Sequence, residues 1–175
     1  KEADWHVCPK PGTDGALAMA MMNVIIEENL VDQDYVDNYT VGFKELAEKA
    51  KERTPEWAEG ITGISAKDIR QLAREYATTQ PSAIRIGVAL EKSWGGSQAI
   101  RAVTALPALT GAWRHVGGGI LQFPVWEHPY KFDVICRPDL IPKGTQVVNN
   151  LQLGRVLTGE QKLNVPIKSM MCWNT

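Results

Sequence analysis

No charge of one sign dominates the 175-residue chain, in which 19 Lys and Arg residues stand against 20 Asp and Glu residues. This balance gives no electrostatic case for binding nucleic acid. Nor does the sequence contain an apolar run of about 18 residues, so we expect no membrane span and no direct membrane contact. With 44% hydrophobic residues, the chain still has enough apolar material for a sizeable core.

Cysteine and histidine are scarce and scattered, with three of each: Cys8, Cys136, Cys172, His6, His115 and His128. The odd cysteine count excludes a full disulfide framework, and the absence of CxxC spacing gives no zinc site. We expect the cysteines to be buried as small hydrophobic residues. The chain begins with Lys1 and shows no signal-peptide pattern, so we also expect a piece of a longer protein.

The clearest helix follows the turn "CPKPGTD" and covers residues 15–29. Its residues are strong helix formers and leave almost no polar face, which indicates burial between layers. Further helices are predicted to begin after Asp32, Thr54 and Ser65, because each of these residue types favours a helix N-cap. Asp14 is expected to cap the first helix in the same way, with a short strand before it at Trp5–Cys8.

The remaining pattern indicates an α/β fold with a parallel sheet flanked by helices, a Rossmann-like three-layer arrangement present in part. "AIRIGVAL", residues 83–90, is the best strand, and residues 167–173 form another strand candidate. "HVGGGI" is expected to be a flexible turn, and residues 121–166 show no regular pattern. Ligands of such sheets bind beyond the carboxyl ends of the strands. The loops 10–14, 91–97 and 173 onward are therefore predicted to form the ligand edge.

Two of these loops carry candidate ligand groups. Asp14 either caps its helix or accepts hydrogen bonds from the N1–H and exocyclic amine of guanine, an edge that a carboxylate matches. Lys92, in "EKSWGG", either neutralises an anionic group or belongs to a solvated connection. The loop has neither the Walker nor the GxGxxG order of residues.

Four segments, in this order, resemble the molybdopterin oxidoreductases of the dimethyl sulfoxide reductase family: "ADWHVCPKPGTDGALAMAMMNVIIEENLVDQDYV", "TPEWAEGITGISAKDIRQLAREYA", "IRIGVALEKSWGGSQAIRAVTALPALTGAWRHVGGGI" and "IKSMMCWNT". In that family two pyranopterin guanine dinucleotides hold molybdenum or tungsten. The resemblance implies that one guanine meets Gly12, Thr13 and Asp14. It also implies that Val88 and Lys92 lie near the pterin and metal, and Asn174 near the second dinucleotide.

The resemblance further implies a pterin dinucleotide-binding α/β domain at residues 1–120, a connecting segment at 121–166, and the start of a strand of an adjoining domain at 167–175. The family's metal ligand and the cysteines of its 4Fe-4S cluster lie upstream, so no catalytic residue or metal ligand is assigned here. We therefore expect an inactive fragment of a two-electron oxidoreductase. Its expected partners are the rest of the large subunit, an iron–sulfur subunit and, through sheet edges, a second copy. The alternative is a stand-alone nucleotide- or partner-binding module without redox chemistry.

Overall fold

The computed structural model describes residues 3–122 and 130–171, and the chain divides into two units, Lys1–Glu127 and His128–Thr175. The first unit contains six α-helices and two strands in its described part: α1 Asp14–Glu27, α2 Gln33–Tyr39, α3 Phe43–Ala50, α4 Pro55–Thr62, α5 Ala66–Thr78, β1 Ala83–Ile86, α6 Gly96–Leu109 and β2 Gly119–Gln122. Two 3₁₀ turns, Leu90–Lys92 and Ala112–Arg114, flank α6. The second unit has the short helices α7 Phe132–Cys136 and α8 Leu153–Leu157 and the 3₁₀ turns Pro138–Leu140 and Asn150–Gln152.

Helix α1 is the centre of the hydrophobic core. It packs against α3, α4, α5 and α6, and Met22 and Ile25 are both fully buried. Even its one polar residue in this stretch, Asn23, is buried and donates a hydrogen bond to the Ala50 carbonyl at 3.0 Å. The prediction of a helix buried on nearly every side is therefore confirmed.

Three predicted helix starts are confirmed. The side-chain oxygens of Asp32, Thr54 and Ser65 each accept a hydrogen bond from the amide three residues further on, at 2.9, 3.3 and 3.1 Å. These bonds satisfy amides that the first turn of a helix leaves without a partner. The strongest local signals in the sequence thus place the starts of α2, α4 and α5.

The predicted cap of α1 is wrong. Thr13 occupies the cap position and Asp14 is the first helical residue. The Thr13 hydroxyl donates to the Lys10 carbonyl at 2.6 Å and so closes the turn that precedes the helix. It makes no capping hydrogen bond to the first turn of α1. No side chain caps the first turn of α1.

The sheet confirms the α/β class, in a small form. Strands β1 and β2 are parallel, with Ala83 opposite Gly119 and Ile86 opposite Gln122, and α6 is the helix that connects them. Parallel neighbours need such a crossover, because a tight turn would reverse the chain. β1 ends at Ile86 rather than at Leu90, because Leu90 is already the first residue of the 3₁₀ turn.

The glycine run after α6 was expected to be a turn only, yet its last glycine begins β2. Gly119 has φ +105°, and a Cβ atom there would overlap the Trp113 ring. Glycine is therefore required by close packing within a strand as well as by a turn. Conversely, Trp5–Cys8 is not a strand; the segment after it is held by one backbone bond, from the Lys10 amide to the Thr62 carbonyl at 2.9 Å.

The second unit has little core of its own in its described part, where Val156 is the one buried hydrophobic residue. In this described part, two hydrogen bonds link residues that are 19 positions apart: the Gln146 side-chain amide bonds to the Val165 backbone at 3.0 and 3.2 Å. The described part of the last predicted strand, residues 167–171, is not a strand, and residues 172–175 lie outside the described residues. The functional division at 120 and 166 stays a prediction.

Two of the three cysteines are exposed. Cys8 and Cys136 are exposed free thiols, so the expectation that they are buried is wrong, although Val7 beside Cys8 packs against the core. Cys172 lies outside the described residues. Across the described ranges, no helix is long and apolar enough to cross a membrane.

Candidate functional site

The first turns of α1 and α6 lie side by side. An ideal Cβ atom on Gly15, in the first turn of α1, would be 3.3 Å from the Cα atom of Ala99, in the first turn of α6. One on Gly12 would be 3.8 Å from the Cβ atom of Ser93. The loops 10–14 and 91–97, which were predicted to meet at a ligand edge, are therefore adjacent. The third predicted loop lies outside the described residues.

A cavity of about 780 Å³ opens beside this contact. Helices α1, α3, α4 and α6 surround it, and Gly15, Ala16, Met19 and Met22 supply the α1 side of its lining. The volume lies within the range of cofactor and small-molecule sites, roughly 300–1,000 Å³. The cavity is thus large enough for a nucleotide.

Two glycine turns form one end of the cavity. Gly12 and Gly95 both line it, and both have left-handed backbone, with φ of +79° and +72°. Gly95 is the N-cap of α6 and makes no side-chain cap, and the first turn of α6 contains no acidic residue. Because the partial positive charge of this helix end is not compensated by a side chain, it favours an anionic ligand.

The charged groups in the lining have a net positive charge. The lining contains two basic residues, Lys49 and Arg101, and one acidic residue, Glu45. None of the three forms an ion pair within residues 3–122 and 130–171. An ammonium and a guanidinium group are therefore available to phosphate or another anion. In the same ranges, no group of three His, Cys, Asp or Glu side chains could hold a metal ion.

The predicted residues of the first loop fall beside this cavity. Gly12 and Thr13 line it. Asp14 is half-buried and is not part of the lining; its carboxylate has no hydrogen bond or ion pair to any residue that the structure describes. The carboxylate is chemically available at this end of the cavity, and its contact with guanine stays a prediction.

Val88 and Lys92 are not part of the cavity lining. Val88 is 41% exposed and follows β1. Lys92 is exposed at the end of the 3₁₀ turn before α6. Asn174 is outside the described residues. The proximity of these three positions to a pterin or a second dinucleotide remains a prediction.

Sequence reasoning missed several lining residues. Trp94 and Gly95 precede α6, while Gln98 and Arg101 occupy its first turns. Their signal was available, because Gln98, Arg101, Ala102 and Ala105 recur at the spacing of one helix face. The face of α6 would have indicated Gln98 and Arg101, whereas Trp94 and Gly95 stand in the loop 91–97 that was already predicted.

The loop that carries Trp94 is tightly folded. The Ser93 hydroxyl donates to the Leu90 carbonyl at 2.7 Å, and the Gly96 amide donates to the Ser93 carbonyl at 2.9 Å. A Cβ atom on Gly96 would overlap the Leu90 carbonyl oxygen. The loop therefore requires glycine at its end, and its bonds hold the backbone on both sides of Trp94.

A second polar cluster fixes the segment that follows α6. Arg114 pairs with Asp32 at 2.9 Å and with Asp34, and its guanidinium lies 5.1 Å from the Tyr35 ring centroid. The hydrogen bond from the Tyr35 amide, together with Arg114, lowers the pKa of Asp32. These contacts join α2 to the connection between α6 and β2.

Comparison with known proteins places this architecture. The family model for molybdopterin oxidoreductases matches residues 1–174. The chain belongs to the molybdopterin oxidoreductase family. The resemblance that the sequence motifs indicated is thereby confirmed, and this part of a molybdopterin oxidoreductase is an α/β unit with a ligand-sized cavity beside two helix N-termini.

Two curated relatives match nearly the whole chain of this molybdopterin oxidoreductase. The probable oxidoreductase YoaE of Bacillus subtilis is 41% identical over 174 residues, which cover 99% of this chain and 25% of the relative. The dimethyl sulfoxide reductase DmsA of Escherichia coli is 32% identical, with 99% and 25% coverage. The chain thus spans about a quarter of the length of these relatives.

A solved structure supports the fold. Acetylene hydratase from Pelobacter acetylenicus matches with a TM-score of 0.59 and 39% sequence identity. The match covers 63% of this chain and 15% of that chain.

Proposed function

We propose that this chain is the dinucleotide-binding part of the catalytic subunit of a molybdenum- or tungsten-dependent oxidoreductase. The cavity between α1 and α6 would hold one of two pyranopterin guanine dinucleotides. The observation that carries this proposal is the convergence of two glycine turns and two helix N-termini on one cavity of about 780 Å³. Membership of the family supplies the class of cofactor.

The residues present fit such a group. Gly12 and Gly95 have no side chain to fill the end of the cavity, so a diphosphate could approach the backbone amides closely. Arg101 and Lys49 supply positive charge in the same lining. An apolar α1 side, with Ala16 and Met19, suits the flat faces of a heterocycle.

In this proposal the chain binds and orients, and the bound group supplies two-electron redox chemistry at its metal. The Asp14 carboxylate accepts the two hydrogen bonds of the guanine N1–H and amine edge. Val88 and Lys92 lie towards the pterin, where Lys92 adds a positive charge, and Asn174 contacts the second dinucleotide. No side chain of this chain is assigned a proton transfer.

The activity of the intact protein belongs to the same proposal. Its other parts would be the remainder of the large subunit, a 4Fe-4S cluster and an iron–sulfur partner subunit, so we expect no turnover from this chain alone. Open sheet edges would allow the chain to self-associate. The substrate is not part of the proposal, since relatives carry names as different as dimethyl sulfoxide reductase and acetylene hydratase.

The test is cofactor analysis of the full-length polypeptide. Molybdenum and tungsten are measured by mass spectrometry, and guanosine monophosphate is measured after acid hydrolysis. Asp14→Ala should lower the nucleotide content, because hydrogen bonds to a charged group contribute about 1.5–3 kcal/mol. The matched control is Asp68→Ala, which removes another half-buried acid from the first turn of a helix, away from the cavity.

The two parts of the proposal fail separately. Wild-type protein with neither metal nor guanine nucleotide would refute the function as a whole. Normal nucleotide content in Asp14→Ala would refute only the guanine contact, whereas equal losses in both variants would assign the effect to helix stability.

A further inference from the structure

We infer that Trp94 is the stacking platform for a planar ring of the bound dinucleotide, so that retention of the nucleotide depends on an aromatic side chain at this position. The inference rests on the proposed function, because the ligand is the one proposed for the cavity between α1 and α6. It adds a residue-specific source of affinity to a site otherwise made of backbone amides and charges.

The indole of Trp94 is fully open to a ligand. Trp94 is 101% exposed although it lines the cavity, and its ring contacts no aromatic or cationic group of the described residues. The other lining tryptophan, Trp57, is half-buried with the Arg53 guanidinium 4.9 Å from its ring centroid. Of the two, Trp94 is the ring with both faces available.

The backbone around Trp94 is held by hydrogen bonds. The bonds from Ser93 to Leu90 and from Gly96 to Ser93 fold the loop on both sides of Trp94. Gly95, the next residue, has the left-handed conformation that a side chain would strain. The backbone that carries the indole is therefore already ordered before a ligand stacks on it, so the entropy of ordering the loop is not lost on binding.

Trp94 also lies next to the candidate anion-binding groups. The Gly12 turn lies against Ser93, the residue before Trp94, and the uncapped N-terminus of α6 begins two residues after it. A ligand with a phosphate at these amides and a planar ring within a few ångströms of them is a nucleotide. Stacking of a base on an aromatic side chain contributes roughly 5- to 150-fold in affinity.

The experiment compares nucleotide release from full-length holoprotein variants. Wild-type protein, Trp94→Ala, Trp94→Phe and the control Tyr130→Ala are dialysed, and retained guanosine monophosphate is measured over time after acid hydrolysis. Tyr130 is another exposed aromatic residue, at 57% exposure, and does not line the cavity. Thermal unfolding of the cofactor-free proteins is measured in parallel.

We expect Trp94→Ala to release nucleotide at least about 5-fold faster than wild type. Trp94→Phe should be close to wild type because it keeps an aromatic face, and Tyr130→Ala should match wild type. The cofactor-free Trp94→Ala protein should unfold at the wild-type temperature, because the indole packs against nothing that is lost.

Each contrary result has a distinct meaning. Wild-type retention in Trp94→Ala overturns the stacking role and leaves the proposed function intact. Release from Trp94→Phe as fast as from Trp94→Ala, or a lowered unfolding temperature of cofactor-free Trp94→Ala, also overturns it. Wild-type protein without guanine nucleotide overturns the proposed function, and this inference with it.

Discussion

Substituting Gly111 by alanine should break the cluster that joins α2 to the end of α6. Gly111 has φ +61°, and a Cβ atom there would overlap Oδ2 of Asp32 and lie 3.1 Å from its Cβ. The same carboxylate caps α2 through the Tyr35 amide at 2.9 Å and pairs with Arg114 at 2.9 Å. The new methyl group would therefore displace Asp32 from both partners.

The expected loss of unfolding free energy in Gly111→Ala is obtained by comparison with a second left-handed glycine, Gly117. Gly117 has φ +86°, and a Cβ atom there would meet nothing within 4 Å. Both alanine variants carry the left-handed backbone cost of about 1–2 kcal/mol. Gly111→Ala alone also loses a helix cap, about 0.5–2 kcal/mol, and a partly exposed ion pair, about 0.2–1 kcal/mol. The difference in unfolding free energy between the variants should be about 1–3 kcal/mol.

The assay is urea unfolding of the two variants followed by circular dichroism. Because the Tyr35 amide and Arg114 lower the pKa of Asp32, its contribution is present above the ordinary carboxyl pKa and is lost as pH falls through the lowered value. The difference should be full at pH 7 and should shrink below about pH 4. Equal stability of the two variants at pH 7 would show that Asp32 can move without cost, which refutes the reasoning.

Two further predictions use the same unfolding assay. Met22→Ala should cost about 2–5 kcal/mol, because Met22 is fully buried. Half-buried Met19→Ala should cost less, and equal losses would contradict the argument from the burial of the two side chains. Glu28→Gln should cost at most about 1 kcal/mol at pH 7, since its two bonds to Arg74, at 2.7 and 2.8 Å, are partly exposed. Arg74 lowers the pKa of Glu28, so this loss should disappear as pH falls through that lowered pKa; a loss that persists at pH 2 would contradict the ion-pair explanation.

Helix starts could be predicted from the sequence because their causes are local. A side-chain oxygen at Asp32 or Ser65 bonds an amide three residues away, and the sequence shows both partners. Asp14 shows the limit of this reasoning. Thr13 and Asp14 are both residue types that favour a helix cap. Thr13 bonds back to Lys10 and takes the cap position, so Asp14 is the first residue of the helix.

Strands were predicted less well because their cause is a partner far along the chain. Residues 83–86 become a strand where Gly119 and its successors pair with them. The preceding Trp113 ring occupies the space that a side chain at Gly119 would need. Neither the pairing nor the ring contact can be read from local alternation. The sequence therefore predicts a turn where β2 begins and a strand at Trp5–Cys8.

The place of the site could be predicted, whereas its individual side chains could not. Loops 10–14 and 91–97 lie together ahead of two helices. The second follows β1, as the topological rule expects, whereas residues 5–8 before the first form no strand. Which side chain then lines the cavity depends on helix phase and on turn geometry. This is why Thr13 lines it while Asp14 does not, and why Trp94 does while Lys92 does not.

The packing of α1 also favours an anion at this end. Gly15 and Ala99 are small enough to bring the first turns of α1 and α6 into contact, and both helices run for 14 residues without a side-chain cap. Two positive helix ends therefore lie together, and Asp14 is the one acid in either first turn. An anion between the glycine turns would offset this repulsion, so the packing that buries α1 also favours a phosphate-bearing ligand.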